Sequence, residues 1–370
     1  MKAVLKYGAF IIILAVIYLA AISFELPFIG SANVKKAAAR KTITGPILSG
    51  KPSVVLSGLG NTASSDYSPG NNLAAGGGAG AVKLWSLPVN LPVLDINPGE
   101  DFQVLAVRFL QEKGLLATGG ATREDTGSIR IFNTASGGLV RQIDDPEPII
   151  ALDVHPAGRY LLATGQSYVT IWDLKDRIAA AVIPKTTSEA KGSFFMDGRY
   201  VVLSDSLALY DWSKKEGAGA LDSGNLLLSK KVNDNMFAWI SAEGLSIVHA
   251  PHGKREFIPF STTGIIAFDI APNAAWGLFL KVSGKMDVID LEDGKVLKTI
   301  DLNPAPIGLS ISSDGSSVMV IRQSGNIDVF DIGSANAFRN IKFKVSRFFE
   351  SVKNKIALMR SKDKAAENGI

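Results

Sequence analysis

The side chains that could do chemistry are few. The chain has no cysteine and three histidines, His155, His249 and His252. Without cysteine there are no disulfides, thiolate zinc sites, Cys-ligated iron–sulfur clusters, c-type haem attachments or Cys nucleophiles. Three imidazoles are too few for a multi-His copper or di-iron centre. His249 and His252 stand three apart across Pro251, a spacing that could hold a metal with a distant carboxylate, but no metal site is assigned to them. His155, followed by Pro156, reads as a structural or surface histidine where a strand enters a turn. Gly76–Gly80 (GGGAG) lacks the Gly-Lys-Ser/Thr ending of a phosphate loop and reads as a structural turn. No Gly-x-Ser-x-Gly elbow occurs. Asp205, Asp211, Asp287, Asp290, Asp328 and Asp331 read as turn formers and solvent-facing strand residues. Acid–base work would require carboxylates from several segments to converge. Trp212, Trp239 and Trp276 read as packing residues, not ligand platforms. No catalytic, cofactor-binding or metal residue is nominated, and the chain is read as a non-enzyme without a cofactor.

The elements that would position any site form a repeat. Each copy has an apolar strand, a tight turn, and an alternating strand closing on a bulky residue and a polar one. The clearest copy is Ala151–Leu174, with strands Ala151–Val154, Tyr160–Thr164 and Tyr168–Trp172 and turns at Pro156–Gly158 and Gly165–Ser167. The bulky pivots are Trp85, Phe132, Trp172, Tyr210, Val248, Ile289 and Phe330, spaced by 47, 40, 38, 38, 41 and 41 residues. The residues after them are Ser86, Asn133, Asp173, Asp211, His249, Asp290 and Asp331, mostly types that favour a turn out of a strand. A period of about 40 residues holds four short antiparallel strands. One such sheet cannot bury both faces. Arranged radially, each packs on the next and no long edge is left open. With 46% hydrophobic and 20% charged residues and 36 glycines, the composition suits an all-β chain rich in tight turns.

Two copies resemble WD40 repeats: Leu162-Ala163-Thr164-Gly165 with Ile171-Trp172-Asp173, and Leu116-Ala117-Thr118-Gly119-Gly120 with Ile129-Arg130-Ile131-Phe132-Asn133. The resemblance covers roughly residues 50–342. It departs from the family pattern in lacking the opening Gly-His dipeptide throughout, so the family's His–Asp network is not expected. Two copies close on Val248-His249 and Ile289-Asp290 instead of aromatic–Asp. The resemblance implies a seven-bladed propeller of four-stranded antiparallel blades, closed by strands from both ends of the chain. Ser53–Leu56 and Ala337–Phe343 are candidates for that join. Six or eight blades remain open, because Gly58–Asn72 in the first copy is long, polar and reads as a loop.

The ends differ from the middle. Gly8–Phe24 is uncharged, and its seventeen residues as a helix would span about 25 Å, close to the hydrocarbon thickness. Residues 1–30 read as a transmembrane signal-anchor or, with cleavage after Ala32, as a signal peptide. Residues 31–50 read as a linker, 51–343 as the propeller and 344–370 as a basic tail. In that tail Val345, Phe348, Phe349, Val352, Ile356 and Met359 share one helical face, opposite Arg347, Lys353, Lys355, Arg360, Lys362 and Lys364. This amphipathic helix would pack on the propeller or lie on a membrane or partner. Lys35, Lys36, Arg40 and Lys41 argue for a cytoplasmic C-terminal side. The layout of the N-terminus argues for export and a periplasmic propeller.

A net charge of +4 spread over 370 residues points away from nucleic acid. The expected function is a membrane-tethered scaffold, or a subunit of a membrane-associated complex, that binds protein partners and no small-molecule substrate. The alternative is a propeller enzyme or cofactor binder, such as a quinoprotein-like dehydrogenase or metal-dependent hydrolase, with its site at the central channel.

Overall fold

The computed structural model describes residues 48, 51–59, 62–78, 80–87, 91–112, 114–222, 224–250, 253–304 and 306–332. These residues form twenty-eight strands in seven four-stranded antiparallel sheets. The first, β1 (Val54–Leu56), belongs to the last blade. Blade one is β2 (Ser64–Tyr67), β3 (Leu73–Gly78), β4 (Ala81–Ser86) and β5 (Leu91–Ile96). Blade two is β6 (Phe102–Phe109), β7 (Leu115–Thr122), β8 (Gly127–Asn133) and β9 (Leu139–Asp145). Blade three is β10 (Ala151–Val154), β11 (Tyr160–Thr164), β12 (Tyr168–Asp173) and β13 (Ile178–Pro184). Blade four is β14 (Gly192–Phe195), β15 (Tyr200–Leu203), β16 (Ala208–Asp211) and β17 (Glu216–Ala220). Blade five is β18 (Leu226–Asn233), β19 (Met236–Ser241), β20 (Gly244–His249) and β21 (Lys254–Pro259). Blade six is β22 (Ile265–Ile270), β23 (Trp276–Lys281), β24 (Lys285–Asp290) and β25 (Val296–Asp301). Blade seven is β26 (Pro306–Ile311), β27 (Ser317–Arg322), β28 (Ile327–Asp331) and, outermost, β1.

The repeat predicts this architecture closely. All seven pivots are the penultimate residue of a blade's third strand. In five blades the register against the outer strand shifts at the pivot, as a bulge does when it bends a strand. The residue after the pivot closes the next turn. Asp173 accepts from the amides of Lys175 and Asp176, Asn133 from those of Ala135 and Ser136, and Asp290 from that of Glu292. Seven apolar clusters form, one in each space between neighbouring blades. The core is therefore a ring of seams, each made when two sheets bury facing sides that neither could bury alone.

The ring is closed by β1. Val54, Val55 and Leu56 pair with Val329, Asp328 and Ile327, and the amide and hydroxyl of Ser53 both donate to Val329 O at 2.8 Å. The expected join at Ser53–Leu56 is thus present. Its proposed partner, Ala337–Phe343, lies outside the described residues, as do the N-terminal apolar segment and the C-terminal amphipathic one. Among the described residues no helix is long and apolar enough to cross a membrane. Leu48 bridges Ile332, so both ends of the described chain leave blade seven side by side.

Two expectations fail in blade one. Gly58–Asn72 is not only a loop, since it contains the innermost strand β2. That strand is short, and its Ser-Ser-Asp-Tyr sequence is polar because it lines the channel. Gly76–Gly80 is mostly not a turn, since Gly76, Gly77 and Gly78 lie in β3 and only Gly80, at φ +79°, bends the chain. A Cβ on Gly77 would stand 2.5 Å from Val107 and 2.6 Å from Val104 of blade two. These glycines let two blades approach closely.

Candidate functional site

The innermost strands surround a central channel of about 590 Å³. Four aspartates among the described residues line it, and three of them bridge blades. Asp66, Asp153 and Asp269 each accept, at 2.8 Å, an amide from the innermost strand of the next blade: Phe109, Phe194 and Ile311 respectively. Three cations meet them. Arg108 pairs with Asp66 at 2.9 Å and donates to Leu152 O. Lys230 pairs with Asp269 at 2.7 Å and donates to Leu309 O. Lys231 reaches Asp153 at 3.0 Å and Asp234 at 2.9 Å. Asp66 beside Arg108 holds its guanidinium above the usual range. Burial pulls the Lys231 ammonium down, but Asp153 and Asp234 outweigh it and hold it charged. Blades seven and one are joined by Asn71 to Ser313 at 3.0 Å and by the Ser317 hydroxyl donating to Tyr67 at 3.2 Å. These contacts form a polar girdle. The carboxylates do converge, but each of these three is spent on a neighbouring blade.

The residues weighed from sequence are elsewhere. His155 sits half-buried among Tyr160, Phe194 and Trp212. Its Nδ1 accepts the Ala157 amide at 3.0 Å, and burial holds its pKa below the ordinary value. Its ring packs beside the apolar seam between blades three and four. His249 ends β20 with Nε2 3.8 Å from Glu256, and His252 lies outside the described residues. No group of three potential metal ligands occurs among the described residues. Trp239 and Trp276 are buried in the seams, and Trp212 packs against one with its indole N–H on Gly198 O at 2.7 Å. Asp211 and Asp290 are turn formers as expected, and Asp331 is exposed. Asp287 and Asp328 are not solvent-facing. Both are buried and pair with Lys281 and Arg322 at 2.5 Å, as buried carboxylates generally require a hydrogen-bonded partner. A second, open hollow of about 580 Å³ beside Lys83, Asp95 and Glu100 holds one exposed ion pair and no convergent chemistry.

The channel has two ends. At the end where each blade hands over to the next, the innermost strands of blades two, five, six and seven carry bulges. The residues skipped by the register are Leu105, Leu227, Ile266 and Ile307, all aliphatic. A bulge turns one extra side chain out of the ladder. Leu105 is half-buried at the channel wall, whereas Leu227, Ile266 and Ile307 are 56%, 41% and 54% exposed. Val282, in a turn at the same end of blade six, is also exposed. Across the mouth, blade two and the loop leading into it carry Glu100, Asp101, Glu124, Asp125, Asp144 and Glu147, with Arg123 paired to Asp101. One side of the mouth presents aliphatic side chains beside the Lys281–Asp287 and Arg322–Asp328 pairs, and the other is mostly acidic. Sequence reading missed the bulges, since one extra aliphatic residue inside an apolar strand leaves no mark on the pattern.

No family model and no curated protein sequence matches the chain. Among solved structures it resembles a chain from the crystal structure of the mitotic checkpoint complex at 13% identity, over 83% of this chain and 98% of that one, with a TM-score of 0.64. At that identity the likeness is one of fold alone. The described residues form a seven-bladed β-propeller of four-stranded antiparallel blades.

Proposed function

We propose that this protein is a non-catalytic propeller, tethered to a membrane by residues 1–30 with its blades on the extracytoplasmic side, that holds protein partners at the mouth of its channel. The observation that carries the reading is the run of aliphatic side chains, Leu227, Ile266 and Ile307, turned to solvent by equivalent bulges on three consecutive blades. Exposed aliphatic groups gathered at one place mark an interaction surface better than the same residues scattered. The channel supports the reading from the other side. An enzyme or cofactor binder needs free groups there, and the acids that converge are committed to amides and cations.

The test is the full-length protein extracted in mild detergent from its own cells, as the native chain and as Ile266→Asp. The native chain is expected to run as a complex of defined stoichiometry, and the variant as the bare chain with an unchanged melting temperature. A bare native chain, or a complex indifferent to the substitution, would sink the platform. A compartment-sensitive reporter fused after Ile370 reads the side of the membrane. Activity only inside the cytoplasm would overturn the localisation.

A further inference from the structure

We propose that the mouth is also the seat of this chain's own C-terminal segment, residues 344–370, which occupies the partner surface until a partner displaces it. The inference rests on the platform reading and names what fills the surface when no partner is bound.

The chemistry of the mouth selects the occupant. Three bulges on adjacent blades present aliphatic side chains in a row, and the acidic loops of blade two face them across the channel. A helix lying across this mouth would need one apolar face and one basic face. Residues 344–370 have that pattern: Val345, Phe348, Val352, Ile356 and Met359 at spacings of three and four, with basic residues between them. Charge divides the same way. Residues 48–343 hold 26 Lys and Arg against 31 Asp and Glu, whereas residues 344–370 hold seven against three. A basic segment tethered to an acidic body is held at high effective concentration, so weak contacts suffice to seat it.

The tether is long enough. The described chain ends at Ile332, past the end of β28 remote from the mouth. The residues from there to Val345 reach about 40 Å when extended. Blade seven rises about 17 Å along a five-residue strand such as β28, and its four strands span about 14 Å. A segment leaving Ile332 can climb the outside of blade seven and lie across the mouth.

The absence of cysteine makes the test clean. Full-length protein in detergent micelles would carry Val352→Cys together with either Ile266→Cys at the mouth or Val93→Cys on the outer strand of blade one, which is similarly exposed. A short bismaleimide is the probe. The expected result is a cross-link within one chain, formed at least tenfold faster at position 266 than at 93. That preference should fall when Glu124→Lys and Asp125→Lys are added. Equal rates at the two positions would overturn the proposal. So would cross-links found only between two chains, which would make the occupant a second copy. Loss of the preference on adding phosphatidylglycerol vesicles would also overturn it, by placing the segment on lipid. Failure here with Ile266→Asp still dissolving the cellular complex would remove the segment from the mouth and leave the platform standing.

Discussion

At the scale of single residues, the girdle around the channel explains why acids occupy the innermost strands of a protein read as having no reaction to run. Asp153 shows the logic. One carboxylate accepts the Phe194 amide of the next blade and the Lys231 ammonium of the blade beyond, so two blade contacts depend on one side chain. Its neighbours are buried, and the Lys231 side chain is only 15% exposed. Removing the Asp153 carboxylate strips the Phe194 amide of its acceptor and Lys231 of one of its two carboxylates while Asp234 stays at 2.9 Å, so the cost falls short of a fully broken buried pair, at about 2 kcal/mol. Asp153→Ala is expected to destabilise by that amount in urea, followed by tryptophan fluorescence. Asp95→Ala, at the surface pair with Lys83 where the carboxylate side chain is 73% exposed, should cost about 1 kcal/mol or less. Equal costs for Asp153→Ala and Asp95→Ala would mean that the girdle carries little. Lone acids between apolar neighbours, as in Ala151-Leu152-Asp153-Val154 and Phe268-Asp269-Ile270, were visible in the sequence. Their partners were not, because Lys231 lies two blades from Asp153 and nothing local specifies that distance.

At the scale of elements, what was legible followed from period. The third strand of each blade alternates and ends in a bulky side chain that must enter a seam, so the seven pivots could be counted before any strand was placed. Elements that break the alternation were not legible. The strand β2 is polar because its side chains line the channel, and β3 is rich in glycine because blades one and two nearly touch across it. The bulges of β18, β22 and β26 add one aliphatic residue to a run that is already apolar. Glycine thus has two meanings in these strands, and substitution separates them. Gly77→Ala would drive a methyl group to 2.5 Å from Val107, and overpacking of this kind costs about 1–3 kcal/mol. Gly217 lies in the exposed outer strand β17, with nothing within 4 Å of an added Cβ. Gly217→Ala should be neutral or stabilise by about 0.5 kcal/mol, since a strand glycine loses more chain entropy on folding. Melting temperatures of the two variants check this. A Gly77→Ala protein as stable as the native one would show that the seam between blades one and two yields freely.

At the scale of the whole molecule, the ring is held by two systems of different reach. The seven apolar seams join neighbours only, and a structure held that way should lose stability locally, near any cut. The polar girdle reaches further, since Lys231 ties blade five to blade three and Lys230 ties blade five to blades six and seven. The closure by β1 is where the two can be compared. Only three residues pair there, yet Leu56 is 2% exposed in the seam between blades seven and one, and without β1 blade seven has three strands. Replacing Val54, Val55 and Leu56 with Gly-Ser-Gly deletes that buried contact at a cost of about 3 kcal/mol, or about a hundredfold in local opening. If the seams dominate, amide exchange should accelerate about that much in β26–β28 and β2–β5, which flank the cut, and least in β14–β17 of blade four on the far side. If the girdle couples the ring into one unit, exchange should rise evenly in all seven blades. The graded outcome is expected, because the girdle is a handful of polar contacts at the channel wall whereas each seam is a continuous apolar cluster. Hydrogen exchange read by mass spectrometry on the intact, detergent-held protein resolves the two. An even rise would shift the main source of cohesion from the seams to the channel.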